Sequence, residues 1–248
     1  MSIIIPNFTI EDAGGLHHGT AKNFIGTNVN QAFQYLSPDG STATMDEEYS
    51  FYNSGACHTL KFIKRGALHK NYVSISNSTR WLTTGNKFSG SFWLNVSLEE
   101  TNASDWGFDA AYRTILGSRL DDPASTDVSV IGWQIAIKRA GASTFDICLN
   151  VNGKIVTKTG VSRGLWIPVL FSIDATANYI ALSAFPADPT GFVIGDIANS
   201  EDSIPNISTD AGTIYMGFDP YTTSTGGAYY YLDGGMSNLK FYSTYAVS

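Results

Sequence analysis

Cysteine is nearly absent from this chain. There are two, Cys57 and Cys148, far apart and neither in a CxxC pair. That excludes a thiol metal centre or a redox motif and leaves a single disulfide open. The expectation is two buried free thiols. Charge is scarce as well: 15% of residues are Asp, Glu, Lys or Arg, and the formal net charge is −7. Lys61-Phe62-Ile63-Lys64-Arg65 is the densest basic stretch, and its alternation reads as a strand with a solvated face. Nucleic-acid affinity comes largely from neutralised phosphates, so an acidic chain without a basic cluster is not expected to bind nucleic acid.

Long apolar runs are missing. No stretch approaches the roughly 18 apolar residues of a membrane-crossing helix, so membrane insertion is not expected. MSIIIPNFTIEDAGG has neither a basic start nor a long apolar segment and does not read as a secretory leader. Five N-x-S/T sequons begin at Asn7, Asn77, Asn95, Asn102 and Asn206. They read as a by-product of a Ser/Thr/Asn-rich composition. No GxSxG occurs, and no Cys/His pair suggests an activated nucleophile. His17-His18 lies in a Gly-rich stretch without a second ligand pair at metal spacing, and reads as exposed loop histidines.

What is present is β chemistry. Of 248 residues, 43% are hydrophobic and 13% aromatic, with 24 glycines. Aromatic and β-branched runs separated by Gly, Asn, Ser and Thr fit a pleated, half-buried surface. Gly212 to Tyr242 shows the pattern: GTIYMGFDP, then YTTSTGGA, then YYYLDGGMSNLKFYS. Ile214 and Met216 alternate with Tyr215 and Gly217, and Leu239 and Phe241 with Lys240 and Tyr242, the period of a strand. Asp233-Gly234-Gly235 reads as a turn, and the last run as a central strand.

Ten apolar runs are expected as strands: His58–Lys64, Tyr72–Ser76, Gly90–Val96, Arg113–Leu116, Gly132–Lys138, Thr144–Asn150, Trp166–Ile173, Tyr179–Ala184, Thr213–Gly217 and Leu239–Tyr242. Val151-Asn152-Gly153-Lys154 carries the Asn-Gly hairpin signal. Asn102–Ala111, Asp121–Ser129 and Asp196–Asp210 are expected as long polar loops, where binding is usually placed on a rigid scaffold. No long amphipathic helix is evident. The expected fold is all-β, a two-sheet antiparallel jelly-roll sandwich over residues 56–248. Residues 1–55 are less periodic and are expected as an N-terminal extension or docking arm. Ile3-Ile4-Ile5 before Pro6 reads as an extended arm or edge strand, Gln31–Leu36 as a short helix or strand, and Ser37-Pro38-Asp39-Gly40 as a turn.

From Leu60 to Ser248 the chain resembles the laminin-G-like jelly roll of the concanavalin A-like lectin/glucanase superfamily. The matching pieces run in family order. They are Tyr72-Val73-Ser74-Ile75, the Phe88 to Leu94 strand, Thr114-Ile115-Leu116-Gly117 and the Gly132 to Asn150 hairpin. Gly164 to Val169 follows, with Ile167-Pro168 in place of a polar-His pair, then Ile214 to Gly217 and the closing Tyr231 to Tyr242. The strand at Tyr179–Phe185 departs from the pattern by lacking an Asn-Gly. The resemblance covers about three quarters of the chain and implies two antiparallel sheets face to face.

Glucanases of that superfamily carry acids at alternate positions of one strand, which puts nucleophile and acid on one face. Here Glu11-Asp12, Asp46–Glu48, Glu99-Glu100, Asp121-Asp122 and Glu201-Asp202 are adjacent acids, read as loop residues. Neighbours on a strand point to opposite faces, so the expectation is a non-enzymatic protein. Binding members use loop carboxylates with calcium and aromatics with sugar rings. Calcium is the candidate cofactor, at Asp121, Asp122 and Asp127; Asp219 with Asp233 is a second pair. The alternative reading gives these acids to turns and solubility.

For a glycan the candidates are Trp106 with Asp105 and Asp109, then Tyr221 with Tyr229, then Trp81. The competing reading folds Trp106 back as a lid over the sandwich edge. Trp93, Trp133 and Trp166 lie in alternating strands and are expected in the core. The functional expectation is a recognition or structural module of a virion surface, a capsid decoration or tail-associated protein with a lectin-like domain. Its expected partners are a cell-surface glycan and viral capsid or tail proteins docked through residues 1–55. Homo-oligomerisation is left open. The alternatives are a polysaccharide-cleaving hydrolase or lyase and an extracellular bacterial adhesin.

Overall fold

The computed structural model describes residues 8–12, 15–22, 34–36, 42–44, 59–62, 72–98, 112–184, 198–200, 203–219, 230–232 and 234–243. Among them every regular element is a strand. In chain order these are β1 (Phe8–Asp12), β2 (Gly15–Lys22), β3 (Gln34–Leu36), β4 (Thr42–Thr44), β5 (Thr59–Phe62), β6 (Tyr72–Ile75), β7 (Lys87–Val96), β8 (Arg113–Gly117) and β9 (Trp133–Arg139). Then come β10 (Thr144–Val151), β11 (Lys154–Ser162), β12 (Trp166–Asp174), β13 (Tyr179–Ala184), β14 (Ala198–Ser200), β15 (Ile214–Met216), β16 (Phe218–Asp219), β17 (Tyr230–Tyr231) and β18 (Gly234–Ser243).

The strands make an eight-stranded sheet, β1-β2-β6-β15-β8-β9-β10-β11, and a six-stranded sheet, β14-β13-β12-β7-β18-β5. Two short pairs, β3-β4 and β16-β17, stand apart from them. All recorded ladders are antiparallel, as in β7 with β12 and β9 with β10. The fold is the expected all-β, two-sheet antiparallel jelly-roll sandwich.

Alternation builds the core. In β7, Phe88, Phe92, Leu94 and Val96 are buried, and in β12 so are Ile167, Val169, Phe171 and Ile173. Those two sets meet Trp133, Ile135 and Ile137 of β9 and Phe145, Ile147 and Leu149 of β10 in one hydrophobic cluster. At its centre the Trp133 ring stacks on Phe171 at 5.3 Å and meets Phe88 edge-on at 5.3 Å. Such pairs contribute about 0.5–1.5 kcal/mol each beyond area burial. Gly90 stands directly across from Phe171, and a Cβ there would lie 2.5 Å from the ring. The stack therefore depends on glycine at that point.

Several local expectations change. His17 and His18 lie inside β2, paired to Ile10 and Thr9, because the hairpin Phe8–Lys22 continues the sheet beyond β6. Two strands of the stretch read as an N-terminal extension thus add to the eight-stranded sheet. Glu11 and Asp12 are likewise strand residues. Ala198–Ser200, inside an expected loop, pairs with β13. Gly234 and Gly235 open β18 instead of forming a turn; a Cβ on Gly234 would collide with the Asn95 carbonyl of β7. β18 lies between β7 and β5, the inner position expected for it. The Asn152-Gly153 turn forms as expected, with Val151 opposite Lys154 and φ of +47° and +83°. Both residues in the left-handed region match the strand twist of a type I′ hairpin.

Candidate functional site

Strand direction sorts the loops into two ends. At one end lie residues 76–86, 118–132, 152–153, 175–178 and 203–213, after β6, β8, β10, β12 and β14. At the other end lie the connections from Val96 to Arg113, from Arg139 to Thr144, from Ser162 to Trp166 and from Met216 to Gly234.

The first end is locked by a buried polar network. Ile204 N–H donates to Asn178 Oδ1 at 3.2 Å and Ile207 N–H to Asn86 Oδ1 at 2.8 Å. Asn152 Nδ2 donates to the carbonyls of Pro205 and Asn206 at 3.0 and 3.1 Å. Asn77 and Thr83 both donate to the Asp210 carbonyl. Asn86, Asn152 and Asn178 hold φ of +60°, +47° and +56°, a conformation asparagine tolerates better than most residues. The 203–212 segment is thus pinned by side chains from three other loops, and Ser118 adds a fourth.

Asp210 sits at the centre, 5% exposed. Its Oδ2 accepts from Ser118 Oγ at 2.5 Å and its Oδ1 from Gly212 N–H at 2.8 Å. Burial raises its pKa above the ordinary value, and these two hydrogen bonds oppose that shift.

The loop with Asp121, Asp122 and Asp127 belongs to this end. It closes around Arg119, whose side chain is fully buried. The Arg119 guanidinium donates to the Val130 carbonyl, to the Asp127 carbonyl at 2.7 Å and to Asp121 Oδ2 at 3.0 Å. Burial lowers its pKa, and Asp121 opposes the shift. Asp121 Oδ1 accepts from Asp122 N–H, and Asp122 Oδ1 from Ala124 N–H, each at 2.8 Å. Asp127 Oδ1 accepts from the Ser129 hydroxyl and amide at 2.7 and 2.8 Å, which holds its pKa down.

Gln134 and Asn150, on the sheet beneath, donate to the carbonyls of Asp121, Pro123 and Ser125. Each carboxylate of the expected calcium loop thus already serves a turn or the arginine. Among the described residues no group of three or more His, Cys, Asp or Glu could hold a metal ion.

Trp106, Asp105, Asp109, Tyr221 and Tyr229 lie outside the described residues, as do Asp233 and Cys57. The strands on either side of the aromatic segments are described. The loop carrying Trp106 leaves β7 at Val96 and rejoins β8 at Arg113; the segment carrying Tyr221 and Tyr229 lies between β16 and β17. Val96 is opposite Gly234 at the start of β18, Leu116 is opposite Met216, and β16 pairs with β17. The described anchors of both segments therefore lie at one end of the sandwich, opposite to the Asp121–Asp127 loop. Trp81 belongs to the first end and is no exposed platform. Its Nε1 donates to the Ser76 carbonyl at 2.8 Å, and its ring packs edge-on to Phe241 at 5.9 Å.

Of the three tryptophans expected in the core, Trp133 is there. Trp93 and Trp166 are half-buried. In β7 the inward positions are Phe92, Leu94 and Val96, so Trp93 and Asn95 face outward. In β12 Ile167 and Val169 face inward, so Trp166 faces outward too. The parity was readable: Trp93 shares its register with Lys87, Ser89, Ser91 and Asn95.

No family model matches the chain, and no curated protein matches it in sequence. Solved structures similar to it include the LG1-3 region of the laminin alpha2 chain, at 12% identity and a TM-score of 0.41, covering 68% of this chain and 29% of that one. The CBM40 of a Ruminococcus gnavus IT-sialidase, bound to alpha2,3 sialyllactose, is similar at 15% identity and a TM-score of 0.43, over 68% of this chain and 80% of that one. The enzymatically active domain of bacteriophage CBA120 tailspike protein 2 is similar at 11% identity and a TM-score of 0.44, over 76% of this chain and 25% of that one. The chain thus spans about a quarter of the tailspike domain. Likenesses at this level leave function to the chain's own residues.

Proposed function

We propose that the chain is a non-enzymatic recognition module that binds a carbohydrate at the end of the sandwich where its two aromatic loops emerge. The observation that carries this reading is the register: Val96 opposite Gly234 and Leu116 opposite Met216 bring the bases of both loops to one rim. Trp106, Tyr221 and Tyr229 supply flat apolar faces for sugar rings, and Asp105 and Asp109 accept hydroxyl hydrogen bonds. At the opposite end the described Asp and Asn side chains are committed to the fold. The finer reading is a virion surface protein, whether capsid decoration or tail-associated. It is supported by a composition of few charges with many Thr, Ser and Gly residues.

Binding of the purified chain to a glycan array, with no reducing sugar released from a polysaccharide panel, is the expected result. Trp106→Ala should weaken that binding at least tenfold with the melting temperature unchanged. A folded chain that binds no glycan, or one that cleaves polysaccharide, overturns the reading. Mass spectrometry of purified virions tests the finer one.

A further inference from the structure

The outer face of the six-stranded sheet carries a set of side chains that the sandwich itself does not use. Across β12, β7 and β18 the register aligns Trp166 with Asn95 and Gly235, then Pro168 with Trp93 and Ser237, then Leu170 with Ser91 and Lys240. Trp166 and Trp93 are diagonal neighbours on adjacent strands, a separation long side chains bridge. Asn95 sits between them, with Gly235 contributing no side chain on its other flank. Both tryptophans are half-buried, and farther along the same face Leu170 and Tyr242 are 43% and 45% exposed.

The polar atoms here are unusual. Asn95 is 2% exposed and its Oδ1 has no hydrogen-bond partner. Ser172 and Ser183, 4% and 7% exposed, lie on the same face and their hydroxyls have no partner either. Off this face, the other unpartnered buried atoms among the described residues are Arg119 Nε and Trp133 Nε1. Buried polar groups are nearly always satisfied, and of these three Asn95 Oδ1 is the one beside the two tryptophans, where a ligand can supply its partner.

We propose that this face is a sugar-binding platform, with Trp93 and Trp166 as stacking surfaces and Asn95 Oδ1 as the acceptor for a sugar hydroxyl. The inference rests on the carbohydrate-binding reading and extends that site from the rim onto the sheet. Asn95 and Trp166 lie next to Val96 and the Ser162–Trp166 turn, at the end where the aromatic loops leave. The ligand class is a neutral oligosaccharide. Between the two tryptophans the aligned residues are uncharged; Lys61, opposite Gly235 on β5, and Lys240, one pair beyond Trp93, flank them.

The test uses the full chain and a panel of neutral gluco-, galacto-, manno- and xylo-oligosaccharides. Trp93→Ala and Trp166→Ala should each weaken binding of the best oligosaccharide at least tenfold, and Trp93→Phe should restore most of it. Should the alanine variants not fold, the wild type answers by oxidation. N-bromosuccinimide, read by peptide mass mapping, should modify Trp93 and Trp166 in the free protein and spare them when the oligosaccharide is bound. Folded Trp93 and Trp166 variants that bind within twofold of wild type, or protection confined to Trp106, would remove the platform and leave the loop site standing. A chain that binds no glycan at all overturns both.

Discussion

Cys148 lies on the outward register of β10, between Ala136 and Thr157, and is fully buried. Burial pushes its pKa up to about 12 from the ordinary 9.0. The folded state therefore keeps this proton where the unfolded chain releases it. The stability it contributes is present below about pH 9 and is lost as pH rises toward 12. A thiol so placed is inert. Iodoacetamide with peptide mapping should leave Cys148 unlabelled in the native protein at pH 8 and label it in urea; rapid native labelling would contradict the burial. Asp210 titrates with the same sign in the acid range. Its raised pKa means that stability from this group is full below about 3.8 and is lost as pH rises through the folded value. Asp210→Asn keeps an acceptor for Gly212 and a group for Ser118, and it removes the titration. Relative to wild type, the variant should gain melting temperature between pH 3.5 and pH 7. A wild type that gains on the variant over that range would reverse the assignment.

The 118–132 loop shows how an element can be set by one buried side chain. Arg119 holds two carbonyls and one carboxylate, and Gly153 lets the loop pass closely, since a Cβ there would lie 2.6 Å from the Thr126 carbonyl. Arg119→Met keeps the apolar stem and strands those acceptors. The expected loss is about 3 kcal/mol, a fall of roughly 10 °C in melting temperature for a chain of this size. A change below about 2 °C would show that the loop holds without the arginine. Since each carboxylate of the loop is already engaged, melts in chelator and in millimolar calcium should coincide; a calcium-dependent rise would restore the metal. The loop's polarity was legible in the sequence, and its acids were a fair signal for calcium. The arginine at its centre was not legible, because Arg119 meets Asp127 and Val130 through backbone carbonyls that carry no sequence signature. The same holds for Asn86, Asn152 and Asn178, whose contacts to 203–207 depend on which loops share an end. Strand alternation was the reverse case. It placed Trp133 in the core correctly, and it would have placed Trp93 outward had its parity been weighed above its size.

At the scale of the whole molecule, the two sheets were legible because each buries one face, and a one-residue slip would turn a strand's apolar set to water. The edges were harder to read. β1 and β2 carry little alternation, with His17, His18 and three glycines near their turn, and they belong to the sheet through backbone pairing to β6. An edge hairpin of this kind protects the strand beneath it from pairing with another chain. Removal of residues 1–22 therefore gives a definite expectation. β6 keeps its partner β15 on one side and becomes the new edge on the other. The truncated chain should stay folded, because the core cluster runs through β7, β9, β10 and β12. It should melt lower than the full chain, and it should self-associate through the bared edge in a concentration-dependent way, seen by light scattering. An unfolded product would make the hairpin part of the cooperative core. Unchanged melting and a monomeric state would mean that the hairpin contributes nothing to the sheet, leaving residues 1–55 free to serve as the arm that docks onto a capsid or tail protein.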